Sequence, residues 1–335
     1  MTIQEIEAAC DAARPIDFSR HHLEAPELKL HKTFYPYGFP VEVRTNSKAI
    51  LSMYADAWLA FKRRFSTSKI IVDVHITEGG STECPPAPVF YMMQPTLLHI
   101  ADAHNHSVVH IGANHTQVTL SRSTLQHERY LKYFFLTPAA AAHIVTQFTT
   151  PVHAACVSLN QRGVLLCGDS GAGKSSLAYA CARAGWTFTS DDASFLLHST
   201  ECRTVTGDCY HVRLRPTAAD LFPEINGLKM TPRAAGKPSI EMLTSTVPDL
   251  ICAQNARIDF MVFLNRRKGA PPQLQTYRKE IARAYLRSNL HGSPESVAIQ
   301  NHAIERLLTA EVFEMRYTDI DWAIRRLREL VRDGR

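Results

Sequence analysis

One stretch of eight residues constrains this chain more than any other: Gly168-Asp169-Ser170-Gly171-Ala172-Gly173-Lys174-Ser175. It reads G-x-x-x-x-G-K-S without deviation. The apolar run Val164-Leu165-Leu166-Cys167 should enter it as a strand, and Ser176-Leu177-Ala178-Tyr179-Ala180-Cys181 should leave it as a helix. Glycines at 168, 171 and 173 let the backbone curl so that successive N–H groups point inward at phosphate oxygens. The helix N-terminus adds its partial positive charge. Lys174 can reach the β- and γ-phosphates as a mobile point charge, and the Ser175 hydroxyl suits Mg²⁺, a hard cation that prefers a few oxygen ligands plus water. The expected nucleotide-binding set is therefore Gly168, Asp169, Ser170, Gly171, Ala172, Gly173, Lys174, Ser175 and Ser176, with ATP and Mg²⁺ as the ligands.

Asp191 and Asp192 follow Lys174 by 17 and 18 residues. A helix from Lys174 to Ala184, stopped by Gly185, and a short strand over 186–190 fill the gap. That arrangement puts two carboxylates at the C-terminal end of a strand, where ligands sit in open α/β sheets. One can hold Mg²⁺, directly or through water, and the other can accept a proton from an attacking hydroxyl. His153 should sit on the strand over 152–158, the one before the strand that leads to the loop.

The rest of the chain divides near residue 150. Before it, residues 1 to about 28 show no periodic segment and read as an arm. Residues 34–43 read as a broken strand, and Ser47 as the N-cap of a helix carrying Ile50, Leu51, Tyr54, Trp58 and Leu59. Residues 69–76, 89–100, 106–112 and 115–121 read as strands in a sheet meander, followed by a helix over 137–148. After the boundary come strands at 152–158, 163–167, 193–198, 203–206 and 209–215, and the nearly all-apolar strand 258–264 (IDFMVFL) expected at the centre of a sheet. A last amphipathic helix begins near Asp319.

Charge separates the halves. Residues 1–150 hold 13 basic and 13 acidic side chains, which leaves 24 basic and 19 acidic to the remainder and gives it the whole net +5. That excess is too mild for a nucleic-acid stripe and suits a small anionic ligand. The eight cysteines include no C-x-x-C pair, and the opening Met-Thr-Ile-Gln-Glu-Ile-Glu is not signal-like, so a reduced, cytoplasmic protein is expected. The apolar stretch 133–148 is interrupted by Pro138, His143 and Gln147, and no membrane span is expected. Eleven of the 16 histidines lie in the first half, but His104, His106, His110 and His115 lack ligand spacing and an accompanying Cys or acidic motif, which argues against a metal site.

From His153 to Asp192 the order His, strand, G-D-S-G-x-G-K-S, helix ending in Gly, strand, Asp-Asp resembles the catalytic domain of HPr kinase/phosphorylases, and the lysine-to-aspartate spacing agrees. The resemblance is strong over about 40 residues and weaker over about 180. It implies an α/β fold: a carboxykinase-like P-loop domain over 151–335 behind a smaller N-terminal α+β domain over 1–150. It implies that Asp192 is the general base, that Lys174 holds the phosphates, that Ser175 holds Mg²⁺ and that His153 lies near the γ-phosphate. Family members phosphorylate a serine of a small carrier protein, and related enzymes a terminal serine of lasso-peptide precursors. Two departures stand out. Ser176 replaces the Glu usual after the loop Ser, and the family's E-[IV]-R-G-x-G segment is missing, the region reading Arg213-Leu214-Arg215-Pro216. The reverse phosphorylase reaction is therefore not expected.

The expected activity is transfer of the ATP γ-phosphoryl to a hydroxyl, on a serine of a peptide or small protein. Asp192, Lys174 and His153 are the catalytic candidates, and Ser175 and Asp191 the metal candidates. An ATPase or regulatory nucleotide switch without an acceptor, and a small-molecule kinase, are the rivals. Arg213 and Arg215 alternate and should share one side of a strand, facing a phosphate, an acidic acceptor or solvent. Lys237, in a Gly-Lys-Pro-Ser loop, could close on the nucleotide. Arg266-Arg267-Lys268 read as charged punctuation after the apolar strand. The N-terminal domain would recognise the acceptor or form a homo-oligomer.

Overall fold

A computed structural model describes residues 27–93, 96–198, 203–231, 238–266, 271–288 and 292–334, together with Gln4, Ala8, Ala12, Ala234 and Leu290. Apart from those positions, the expected arm up to residue 26 lies outside the described residues, as do Lys237, Arg267 and Lys268. The chain forms two compact units, Met1–Gln147 and Phe148–Arg335.

The first unit is built on seven strands: β1 (Leu30–Phe34), β2 (Val41–Thr45), β3 (Ile70–Thr77), β4 (Val89–Met93), β5 (Thr96–Asp102), β6 (Asn105–His110) and β7 (His115–Ser121), in spatial order β1-β2-β3-β7-β6-β5-β4. The expected meander runs antiparallel through β4 to β7, while β3 lies parallel to both β2 and β7. The single strand expected over 89–100 is a hairpin instead, with Val89 opposite Ile100 and Met93 opposite Thr96. Helix α1 (Lys48–Trp58) buries Ile50, Met53, Tyr54 and Trp58, and Ser47 occupies its N-cap position without a side-chain bond to the helix. The later helix starts earlier than its periodicity suggests. An α-turn over Glu128–Leu131 and a π-turn over Lys132–Leu136 precede α2 (Thr137–His143). The wider turn falls just before Pro138, which cannot supply an N–H to an ordinary one.

The second unit has helices on both faces of one large sheet. Its strands are β8 (Thr149–Val152), β9 (Ala154–Leu159), β10 (Arg162–Cys167), β11 (Thr187–Ser190), β12 (Ser194–Leu197), β13 (Thr204–Gly207), β17 (Ile251–Cys252), β18 (Asn255–Asn265), β19 (Gln273–Thr276) and β20 (Glu311–Arg316). A small sheet of β14 (His211–Leu214), β16 (Ser239–Leu243) and β15 (Met230–Thr231) stands apart from it. The large sheet runs β17-β11-β9-β10-β18-β13-β12-β8. It branches at β18, whose first residues pair with β13 and whose last six pair with β20. The helices are α3 (Lys174–Arg183), α4 (Lys279–Arg287), α5 (Pro294–Leu307) and α6 (Ile320–Asp333).

The two-residue period of a strand sorts the core. Val164 and Leu166 of β10 pack with Leu177 of α3 and with Leu327 and Leu330 of α6. Leu165 and Cys167, pointing the other way, pack with Ala282 and Leu286 of α4 and with Ile304 and Leu307 of α5. With Leu165 and Leu166 both fully buried, each side chain contributes about 1.5–3 kcal/mol of transfer free energy. The rigid centre of this sandwich is the strand that carries the glycine loop.

Candidate nucleotide site

Topology alone gathers the site. In the order β11-β9-β10, the middle strand is antiparallel to both neighbours, so it starts where they end. Strand β10 ends at Cys167 and opens into the loop, while β11 ends at Ser190 and opens into Asp191-Asp192. His153 immediately precedes β9. It therefore sits between the residues that follow the two outer strands.

The loop has the backbone its glycines permit, with φ of 143° at Gly168, 95° at Gly171 and 98° at Gly173. Gly173 has a second reason to lack a side chain, because a Cβ there would lie 2.7 Å from the Tyr317 hydroxyl. Gly173 caps α3, and Lys174 begins it. The Lys174 side chain turns back over the loop. Its ammonium donates to Gly168 O at 2.7 Å, to Asp169 O at 3.3 Å and to His153 Nε2 at 3.0 Å. An ammonium only donates, so Nε2 accepts and the imidazole proton belongs on Nδ1. Nδ1 lies 3.5 Å from Asp192 Oδ1. Lys174, His153 and Asp192 thus form one line of polar contacts. Burial pulls the Lys174 ammonium below its ordinary value, and the Asp192 charge opposes that most strongly.

The two neighbouring carboxylates occupy different surroundings. Asp192 is exposed at the site, its side chain 56% accessible. Asp191 is buried, and its Oδ2 accepts the backbone N–H of Arg213 at 2.7 Å. Burial pushes the Asp191 carboxyl up to about 6, against the pull of Arg213, and the nearby Asp192 and Asp208 push the same way. Ser175 and Ser176 are half-buried in the first turn of α3. The donor set of Asp191 and Ser175 consists of hard oxygens, and a buried carboxyl short of counter-charge fits a divalent cation such as Mg²⁺. Strand β18, parallel to β10, ends in Asn265 and then Arg266, so it adds no carboxylate at that edge.

The alternating arginines diverge in use. Arg213 Nε binds Glu241 Oε1 at 2.8 Å across the β14–β16 ladder. Arg215 is exposed, and its Nη2 donates to the Ser170 hydroxyl of the loop at 2.9 Å. Of the histidines in the first unit, His115 is paired with Asp73 at 2.8 Å. Among the described residues, no group of three or more His, Cys, Asp or Glu is placed to hold a metal.

Two tyrosines escaped sequence reading. Tyr317 packs beside Gly173 and its hydroxyl lies 3.4 Å from Ala172 O. Tyr285, on α4, touches both the loop and the His153 carbonyl. Tyr285 lies 117 residues from Gly168, and nothing local in its helix marks the partnership.

No protein-family model matches this chain, and no curated protein matches it. Among solved structures, that of the Hpr(Ser) kinase/phosphatase from Coxiella burnetii is similar over 55% of this chain and 95% of that chain, with 14% sequence identity and a TM-score of 0.33. That likeness is distant, and the site's own residues carry the chemistry. Among the described residues, no helix is long and apolar enough to cross a membrane.

Proposed function

We propose that this chain binds Mg-ATP and transfers its γ-phosphoryl to a hydroxyl, a serine of a peptide or small protein. The observation that carries this reading is the line Lys174–His153–Asp192 across the mouth of a G-x-x-x-x-G-K-S loop. Phosphoryl transfer asks a protein mainly for positioning and charge neutralisation. The loop N–H groups, Lys174 and the Arg215 guanidinium supply positive charge beside the phosphates. Ser175 and Asp191 would hold Mg²⁺, which when bound neutralises phosphate charge. Asp192 takes the acceptor proton, and its exposure leaves room for a bulky acceptor. His153 stands between Asp192 and Lys174 and would lie near the γ-phosphate. The N-terminal unit serves acceptor recognition or self-association.

The exposed base favours a kinase over a pure nucleotide switch, which needs a group to position water but no opening for an alcohol. The test compares two variants by titration with Mg-ATP and by transfer to candidate acceptors. Lys174→Ala should lose measurable Mg-ATP binding. Asp192→Asn should bind Mg-ATP normally and lose transfer by roughly 10²–10⁴-fold. Wild-type affinity in Lys174→Ala, or undiminished transfer in Asp192→Asn, would sink the reading.

A further inference from the structure

The hydroxyl of Tyr285 stands at the crossing of three backbone groups. It lies 2.9 Å from His153 O, 3.0 Å from Gly168 O and 3.2 Å from Gly168 N. The amide must donate to it, which uses an oxygen lone pair. The hydroxyl has one proton of its own and two carbonyls within reach. Gly168 O receives the Lys174 ammonium at 2.7 Å, and the Tyr285 hydroxyl lies within donating distance of both carbonyls, so its single proton is free to serve His153 O. Once Lys174 extends to phosphate, Gly168 O loses its charged donor. A buried carbonyl left without one is costly.

We propose that Tyr285 is a positioning residue of the phosphate loop, whose hydroxyl proton turns from His153 O to Gly168 O when Lys174 leaves for the nucleotide. The inference rests on the nucleotide-binding reading above. The small rotation replaces the lost bond at the loop's first glycine, lowers the cost of releasing the lysine and holds the loop amide in both states. The Tyr285 ring is fixed for this by an edge contact with Phe263, centroids 5.2 Å apart at 83°. The hydroxyl keeps its proton throughout, since burial pushes it up to about 12.

The experiment uses the full chain with Mg-ATP as probe and reads affinity by calorimetry and amide exchange over the loop peptide. Tyr285→Phe keeps the ring and removes the swing donor. It should weaken Mg-ATP about tenfold and speed exchange at the Gly168 amide. Phe263→Leu loosens the ring contact and keeps the hydroxyl. It should lower the unfolding temperature and leave affinity within about twofold, because no hydrogen bond is lost. Unchanged affinity in Tyr285→Phe, or an equal loss in Phe263→Leu, overturns the inference. Lys174→Ala in the same series separates the two ideas. If it loses binding while Tyr285→Phe does not, only the role of Tyr285 falls. If it binds like the wild type, the nucleotide site falls and the role of Tyr285 with it.

Discussion

Asp73 in the first unit and Asp191 in the second are almost equally buried, at 6% and 4% exposure, yet the fold drives them in opposite directions. Burial alone would raise both. Asp73 is met by Arg44 through two bonds of 2.6 Å and by His115 at 2.8 Å, and these hold its carboxyl down at about 2. Asp191 receives one backbone N–H, while the guanidinium of Arg213 is shared with Glu241, and its carboxyl rises to about 6. Burial thus says little about a carboxylate until its partners are counted. The fully partnered one is scaffolding. The under-partnered one stands in the dipeptide that follows a strand near the glycine loop, where the proposed cation would complete it.

The sharpest way to break this contrast is to remove Asp73. Asp73→Ala leaves Arg44 and His115 facing each other without their shared anion. It should destabilise the protein by about 3 kcal/mol, at the low end for a broken buried pair because Arg44 is partly exposed. Thermal unfolding reads the loss, and Mg-ATP titration should be unchanged. A shift under about 0.5 kcal/mol, the size of an ordinary surface change, would mean that the Arg44–Asp73–His115 group is not structural.

The second comparison moves to Asp191. An amide there removes a charge that the fold supports poorly, so Asp191→Asn should unfold no earlier than the wild type. Mg-ATP affinity should fall by about tenfold through the lost metal-side oxygen charge. Calorimetry with and without Mg²⁺ tests this, since the loss should vanish for metal-free ATP. Destabilisation on the Asp73 scale, with nucleotide affinity intact, would make the two carboxylates alike and remove Asp191 from the site.

How much of this was legible in the sequence follows from the range of the forces. The glycine loop, its strand and helix, and the apolar strand over 258–264 are local patterns, and they form where periodicity puts them, in β10, α3 and β18. The alternation of Asp191 and Asp192 on a chain leaving a strand also suggests that they face different ways. The sequence could not show that β9 lies between β10 and β11, although that insertion is what sets His153 between Lys174 and Asp192. Strand order is decided by pairing over long separations. The same limit hid Tyr285 and the Arg213–Glu241 pair, which joins residues 28 apart. The hairpin at Met93 and Thr96 did have a local signal, because a proline inside an apolar run argues against one continuous strand.

The smallest expected effect is also the cleanest test of the contrast. An Asp191 carboxyl that titrates above its unfolded counterpart makes the native state hold the proton longer. Stability then falls as pH rises between about 4 and about 6, and the full cost is present above that window. Asp73 behaves in the reverse sense: its contribution is present above about pH 4 and is lost only as pH falls toward about 2. A pH scan of the wild type alone would mislead, because His99, His106 and His143 are each pulled down to about 4 by burial. Between about pH 4 and 6.5 the unfolded chain binds more protons at those three rings, so they make stability rise with pH and oppose Asp191. The difference between Asp191→Asn and the wild type cancels the histidines and Asp73 together. A displacement from 3.8 to about 6 corresponds to about 3 kcal/mol if fully realised. That figure already contains the pull of the Arg213 N–H, and relaxation around the charge realises only part of it. The variant should therefore gain about 1 kcal/mol relative to the wild type near pH 7, with that gain falling steadily as pH drops through the window from about 6 to about 4. Urea unfolding at several pH values measures it. A difference that does not change with pH would show that Asp191 is ionised throughout, and would place its counter-charge within the protein rather than in a bound cation.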